Sequence, residues 1–287
     1  MRSVWAGACA GLMAGVAVLA AAGARAESAL ERGTYLMKSV VACGNCHTPK
    51  GPGGEVPGME LAGGFKVTGD EFTAIVPNIT PDPETGIGNW TDAQIITAIR
   101  DGKRPDGTII GPPMPMGMYR HMSDSDVKAI VVYLRQVKPV KNVVAKSEYR
   151  MPLPASYGPP VTSVPDVNRN DKIAYGGYLA GPLGHCMECH TKMEKGVPDL
   201  AHRAGAGGNK FEGPFGVSVS RNLTPDPVHG IGKWTVADFK TTLSTGVRPN
   251  GERLKPPMGF GYYKNISDDD FAAMWTYLRS LKALEGP

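Results

Sequence analysis

The pentapeptide Cys43-Gly44-Asn45-Cys46-His47 returns as Cys186-Met187-Glu188-Cys189-His190. No other feature of the chain limits its fold as tightly. Two thiols three residues apart lie on one face of a helical turn, so both can reach the two vinyl groups of one porphyrin. The histidine that follows then presents an imidazole to the iron. The spacing therefore predicts covalent haem c attachment at Cys43 and Cys46, and again at Cys186 and Cys189, with His47 and His190 as iron ligands. One match in a chain of 287 residues can arise by chance. Two, each inside a longer repeated context, do not.

That context is a self-match at an offset of 143 to 144 residues. Gly33-Thr34-Tyr35-Leu36 answers Gly176-Gly177-Tyr178-Leu179. Asn78-Ile79-Thr80-Pro81-Asp82-Pro83 answers Asn222-Leu223-Thr224-Pro225-Asp226-Pro227. Gly86-Ile87-Gly88-Asn89-Trp90-Thr91 answers Gly230-Ile231-Gly232-Lys233-Trp234-Thr235, and Arg104-Pro105-Asp106-Gly107 answers Arg248-Pro249-Asn250-Gly251. Pro112-Pro113-Met114 answers Pro256-Pro257-Met258, and Ser123-Asp124-Ser125-Asp126 answers Ser267-Asp268-Asp269-Asp270. The pattern predicts a tandem duplication of one haem domain.

The first residues read as a secretory signal: Arg2, an apolar run, then Ala24-Arg25-Ala26 as a cleavage site. The expected organisation is a signal peptide at 1–26, one domain at 27–138, a Pro-rich connector at 139–170 and a second domain at 171–287. The competing reading is an uncleaved membrane anchor, since the apolar run is nearly long enough to span a bilayer. Cleavage would remove Cys9 and leave four cysteines, all within the two motifs, so none remains for a disulfide, a zinc site or a thiolate iron ligand. It would also leave 29 basic against 27 acidic residues. With no basic stripe, nothing points to nucleic acid.

Locally, each half opens with a helix leading into the haem motif. A Gly-rich excursion follows, whose alternating residues at 72–79 and 215–223 suit a short hairpin. Thr91-Asp92-Ala93-Gln94 is a capping box for a helix to about Arg100. Ser123 caps the last helix of the first half, where Val127, Ile130, Val131 and Leu134 form one apolar stripe. Phe271, Met274, Trp275 and Leu278 repeat it. The expected fold is all-α, two mostly helical halves with long loops. Tyr35 and Tyr178 are expected to pack with Tyr133 and Tyr277 at the crossing of first and last helices, which Gly33 and Gly176 allow to close.

On these motifs both halves resemble class I cytochrome c domains. The whole chain is similar to di-haem relatives of the cytochrome subunits of periplasmic dehydrogenases acting on alcohols, sugars and N-heterocycles. The resemblance implies two covalently bound haem c groups, each passing electrons without chemistry on a substrate.

The sixth iron ligand is expected from Met114 and Met258. They align across the repeat, each after a Pro-Pro pair, and a thioether opposite histidine suits an electron-transfer haem. The plain alternative is that these methionines fill gaps in a core. Met116, Met118 and Met122 have no aligned methionine partner, and His121 is a rival for the first iron. His121, His185, His202 and His229 otherwise read as surface residues. Trp90 and Trp234 suit donation to haem propionates, with core packing as the alternative. Arg104 and Arg248 suit ion pairing with propionates, with a solvated surface as the alternative. Each proximal imidazole should donate its other N–H to a backbone carbonyl.

Together these readings predict a periplasmic di-haem electron carrier. A periplasmic dehydrogenase would be the donor and a cytochrome or terminal oxidase the acceptor, with peripheral association to a membrane complex. The alternative is an enzyme, a di-haem peroxidase or a thiosulfate-oxidising cytochrome. A peroxidase needs an open distal position, whereas both halves offer a methionine there. Thiosulfate-oxidising cytochromes use a thiolate ligand, for which no cysteine is left.

Overall fold

The computed structural model describes residues 26–287 except 195 and 214, together with residues 1 and 3. The expected signal or anchor segment thus lies almost wholly outside the described residues.

Helix α1 (Ala29–Lys38) starts at a capping box in which Ser28 and Glu31 satisfy each other's backbone N–H. The turn α2 (Gly44–His47) carries the first cysteine motif. A small hairpin, β1 (Lys50–Gly51) with β2 (Gly54–Glu55), precedes a second, β3 (Lys66–Thr68) with β4 (Phe72–Ile75). Helix α3 (Asp92–Asp101) begins at the Thr91–Gln94 capping box and stops at Gly102, whose φ of 64° suits a residue without Cβ. The turn α4 (Met116–Tyr119) leads to α5 (Asp124–Gln136), capped by Ser123.

After the connector the order recurs. Helix α6 (Lys172–Tyr178) runs into a π-helical turn at Leu179–Leu183 and then α7 (Cys186–Cys189) with the second motif. In the connector lies β5 (Glu148–Tyr149). Hairpins β6 (Met193–Glu194) with β7 (Val197–Pro198), and β8 (Lys210–Gly213) with β9 (Gly216–Val219), follow α7. Helix α8 (Val236–Thr245), the turn α9 (Phe260–Tyr263) and helix α10 (Asp268–Ser280) complete the chain.

The all-α expectation is overturned: helix accounts for 32% and strand for 11%. The Gly-rich excursions pair their backbone groups with each other as antiparallel hairpins. These pair Lys66 with Ile75 and Lys210 with Val219, so their first strands begin earlier than the alternation at 72–79 and 215–223 suggests. Within the connector, β5 joins β4 as a third strand, pairing Phe72 with Tyr149, so this part of the segment is built onto the elements before it.

Within each half the first and last helices cross at a glycine. A Cβ on Gly33 would lie 2.1 Å from the Ala129 carbonyl oxygen, and one on Gly176 2.0 Å from that of Ala273. Tyr133 and Tyr277 flank these crossings, but Tyr35 and Tyr178 do not belong to them. Their hydroxyls cross to the other half. Leu36, Met37, Ile130 and Leu134 join Leu179, Leu183, Phe271 and Leu278 in one continuous apolar cluster. At about 1.5–3 kcal/mol for each fully buried large side chain, this shared core holds the halves against each other.

Candidate functional site

Each cysteine motif sits on a single helical turn. His47 N–H bonds back to the Cys43 carbonyl at 2.9 Å, and His190 N–H to that of Cys186 at 2.9 Å. Before each turn stands a residue with positive φ, Ala42 at 50° and His185 at 42°, which swings the chain from the preceding helix into the motif. Cys43, Cys46, Cys186 and Cys189 are all free thiols. Before haem is attached, burial raises each thiol, Cys43 and Cys189 to about 12 and Cys186 to about 11.

The two histidines are buried and held alike. His47 donates from Nδ1 to the Pro77 carbonyl at 2.9 Å, and His190 from Nδ1 to the Arg221 carbonyl at 2.6 Å. A carbonyl can only accept, so in each ring Nδ1 carries the proton and Nε2 keeps its lone pair for a metal. Burial lowers both imidazoles, His47 to about 4, which keeps them neutral and able to ligate. Two thiols and one oriented imidazole on a turn are the donor set a covalent haem requires, and the fit recurs at both positions. Among the described residues, no group of three or more His, Cys, Asp and Glu side chains is placed to hold a metal ion by itself.

The accepting carbonyls reveal what the repeated Asn-x-Thr-Pro-Asp-Pro block does, a role the sequence reading missed although the repeat marked it. Pro77 and Arg221 each immediately precede its asparagine. Asn78 Oδ1 accepts from Thr80 N–H at 2.9 Å while Nδ2 donates to the Val140 carbonyl at 2.8 Å. Asn222 does the same with Thr224 at 2.8 Å and Leu284 at 2.6 Å. The asparagine ties a local turn to the chain leaving the last helix, and so places the carbonyl that orients the histidine. A Cβ on Gly63 would lie 2.5 Å from the Asn78 nitrogen, and one on Gly207 2.4 Å from the Ser220 carbonyl. Both glycines have positive φ.

Met114 and Met258 are half-buried and pack against the common core, each directly after a Pro-Pro pair joined by a cis peptide. Met116, Met118 and Met122 are buried within the core, and His121 is exposed. Trp90 and Trp234 are also half-buried against the core. Arg104 donates to the Ile109 carbonyl at 3.0 Å, whereas Arg248 binds Glu252 at 2.6 Å with its guanidinium 5.8 Å from the Trp234 ring centroid. Of the remaining histidines, His202 and His229 pair with Asp199 and Asp226 at the surface. His185 departs from the surface reading. Its ring meets Tyr119 edge-on at 5.8 Å, and burial lowers it to about 4.

The first motif also touches the opposite half. Asn45, inside the first, donates to the Pro257 carbonyl at 3.1 Å, next to Met258. A Cβ on Gly44 would lie 2.2 Å from the Tyr262 hydroxyl. Both sites thus belong to one packed unit.

The Cytochrome c family model matches residues 30–138. A diheme cytochrome c-type of Cereibacter sphaeroides is 30% identical over 85% of this chain and 83% of its own length. The chain belongs to the cytochrome c family. This cytochrome is also 32% identical, over 90% of its length, to the cytochrome c subunit of a quinone alcohol dehydrogenase from Gluconobacter oxydans. It is 33% identical, over 88% of its length, to the cytochrome subunit of a fructose dehydrogenase from Gluconobacter japonicus. It spans only 56% and 53% of those two relatives. Membership implies covalently bound haem c, which the two cysteine turns fit. Among the described residues, no helix is long and apolar enough to cross a membrane.

Proposed function

We propose that this cytochrome holds two haems, on Cys43, Cys46 and His47 and on Cys186, Cys189 and His190, and relays electrons between partner proteins. Met114 and Met258 complete the two iron sites, in duplicated domains at 27–138 and 171–287 joined by the connector at 139–170. A signal peptide at 1–26 exports the chain to the periplasm. There a dehydrogenase reduces it, in keeping with the dehydrogenase subunits among its relatives, and a second cytochrome or a terminal oxidase reoxidises it. Bound haem supplies one-electron chemistry at its iron. The chain's residues orient the imidazoles, keep them neutral and pack the two sites against each other.

The observation that carries this reading is the paired Nδ1–carbonyl hydrogen bond, which leaves each His47 and His190 with a free Nε2 above a two-thiol turn. The test begins with alkaline pyridine spectroscopy of the purified mature protein, which should give two covalent haems per chain. Reduction by a quinone-type dehydrogenase should follow, with no appreciable turnover of peroxide or thiosulfate. Fewer than two haems, or turnover of either compound, would overturn it.

A further inference from the structure

The Pro-rich connector lies over the one loop of the first half on which the sixth ligand would depend. Tyr157 donates its hydroxyl to the Ile110 carbonyl at 2.7 Å, and Tyr149 donates to the Pro112 carbonyl at 3.1 Å. These carbonyls lie four and two residues before Met114. Gly111 between them leaves room for the strap: a Cβ there would sit 2.5 Å from the Tyr149 ring and 2.8 Å from Leu153. Gly102 does the same below Tyr157, at 2.8 Å. The strap is anchored at both ends. Tyr149 lies on β5 against Phe72 of β4, while Arg120 donates to the Tyr157 carbonyl and, at 2.7 Å, to that of Pro159.

The second half is held differently. Among the described residues, the corresponding carbonyls of Leu254 and Pro256 receive no side-chain hydrogen bond. The supported carbonyl is that of Pro257, which accepts from Asn45.

We propose that Tyr149 and Tyr157 are positioning residues for the first haem site, keeping the Met114 loop seated so that its thioether stays in place. The two sites are thereby made unequal by supports that lie outside the repeat. This rests on the reading of Met114 as an iron ligand. The hydroxyls act by fixing two carbonyls, so removing them frees the loop while the ring packing stays.

The test uses the full-length, haem-loaded protein and the long-wavelength sulfur-to-iron absorption band. In Tyr149→Phe/Tyr157→Phe, the alkaline loss of that band should split. Half of it should disappear at a pH lower by about one unit, from an about tenfold shift toward the displaced thioether on losing these hydrogen bonds. Cyanide should enter the same half faster, while the half due to Met258 keeps the parent's behaviour. Covalent haem content equal to the parent's checks folding, and each single Tyr→Phe variant should show a smaller shift of the same sign. A double variant that titrates like the parent overturns the proposal. So does one in which both halves shift together. Met114→Ala separates this from the underlying reading. If it leaves the band at full amplitude, Met114 is not a ligand; if it halves the band while the tyrosine variants match the parent, only the strap is wrong.

Discussion

The Tyr35 hydroxyl donates to Asp270 Oδ2 at 2.7 Å and accepts the backbone N–H of Ser267 at 3.1 Å. Tyr178 repeats this across the molecule, donating to Asp126 Oδ2 at 2.7 Å and accepting from Ser123 N–H at 3.0 Å. Each half thus caps the start of the other's final helix with a phenol from its own first helix. Two related contacts of this kind form a self-complementary interface of the sort seen between symmetric subunits, here within one chain.

Tyr178→Phe should therefore cost about 1–3 kcal/mol, because the Ser123 N–H is buried and loses its acceptor. Asp126→Ala should cost more, about 3–5 kcal/mol, since it leaves the buried Arg32 guanidinium without the carboxylate it now grips at 2.7 and 3.0 Å. Denaturant titration of the haem-loaded protein measures both. Equal stability of the two variants would show that the Arg32 pair contributes nothing.

The helix crossings leave no room for a side chain. Gly33→Ala or Gly176→Ala should lose about 2 kcal/mol or more through overpacking against backbone that cannot retreat. Gly117 has no heavy atom within 4 Å of where its Cβ would be. Thermal melts should show Gly117→Ala at or above the parent and both crossing variants well below it.

Asn78 places the carbonyl that receives the His47 N–H. Asn78→Ala should weaken that hydrogen bond, make the imidazole a poorer donor to iron and raise the potential of one haem. Asn222→Ala should raise that of the other. Spectroelectrochemical titration would resolve the two steps, and unchanged potentials in both variants would remove the asparagine from this role.

His185 gives a pH dependence whose sign follows from its burial. Its folded value of about 4 lies below the ordinary 6.5, so above pH 6.5 it imposes no penalty. As pH falls from 6.5 toward 4, the unfolded chain takes a proton that the folded one refuses, and stability declines by at most about 3 kcal/mol. His185→Gln should flatten this part of the stability curve. An equally steep decline in the variant would assign it to other groups.

The cysteine turns, the helix caps at Thr91 and Ser123, and the apolar stripes of α5 and α10 were legible in the sequence because each depends on residues within a few positions of one another. So were the close helix crossings, since glycine recurs where two backbones must touch. The hairpins were only partly legible. Strands of two to four residues carry little pattern, and the β3–β4 ladder extends with a strand from far along the connector. The Asn-x-Thr block could be seen as repeated, but its purpose could not be read. Its partners, His47 and Val140, lie some thirty residues before and sixty after Asn78.

By itself the sequence determined the local chemistry: which turns bear thiols and imidazole, and which segments are helical. The tertiary structure alone decided which carbonyl orients each histidine, that Tyr35 and Tyr178 serve the opposite half, that His185 packs on Tyr119, and that the connector braces the Met114 loop. The physical reason is one of range. Helical turns and caps are set by hydrogen bonds between near neighbours, whereas these contacts exist only once apolar burial has pressed two separately patterned halves into a single core.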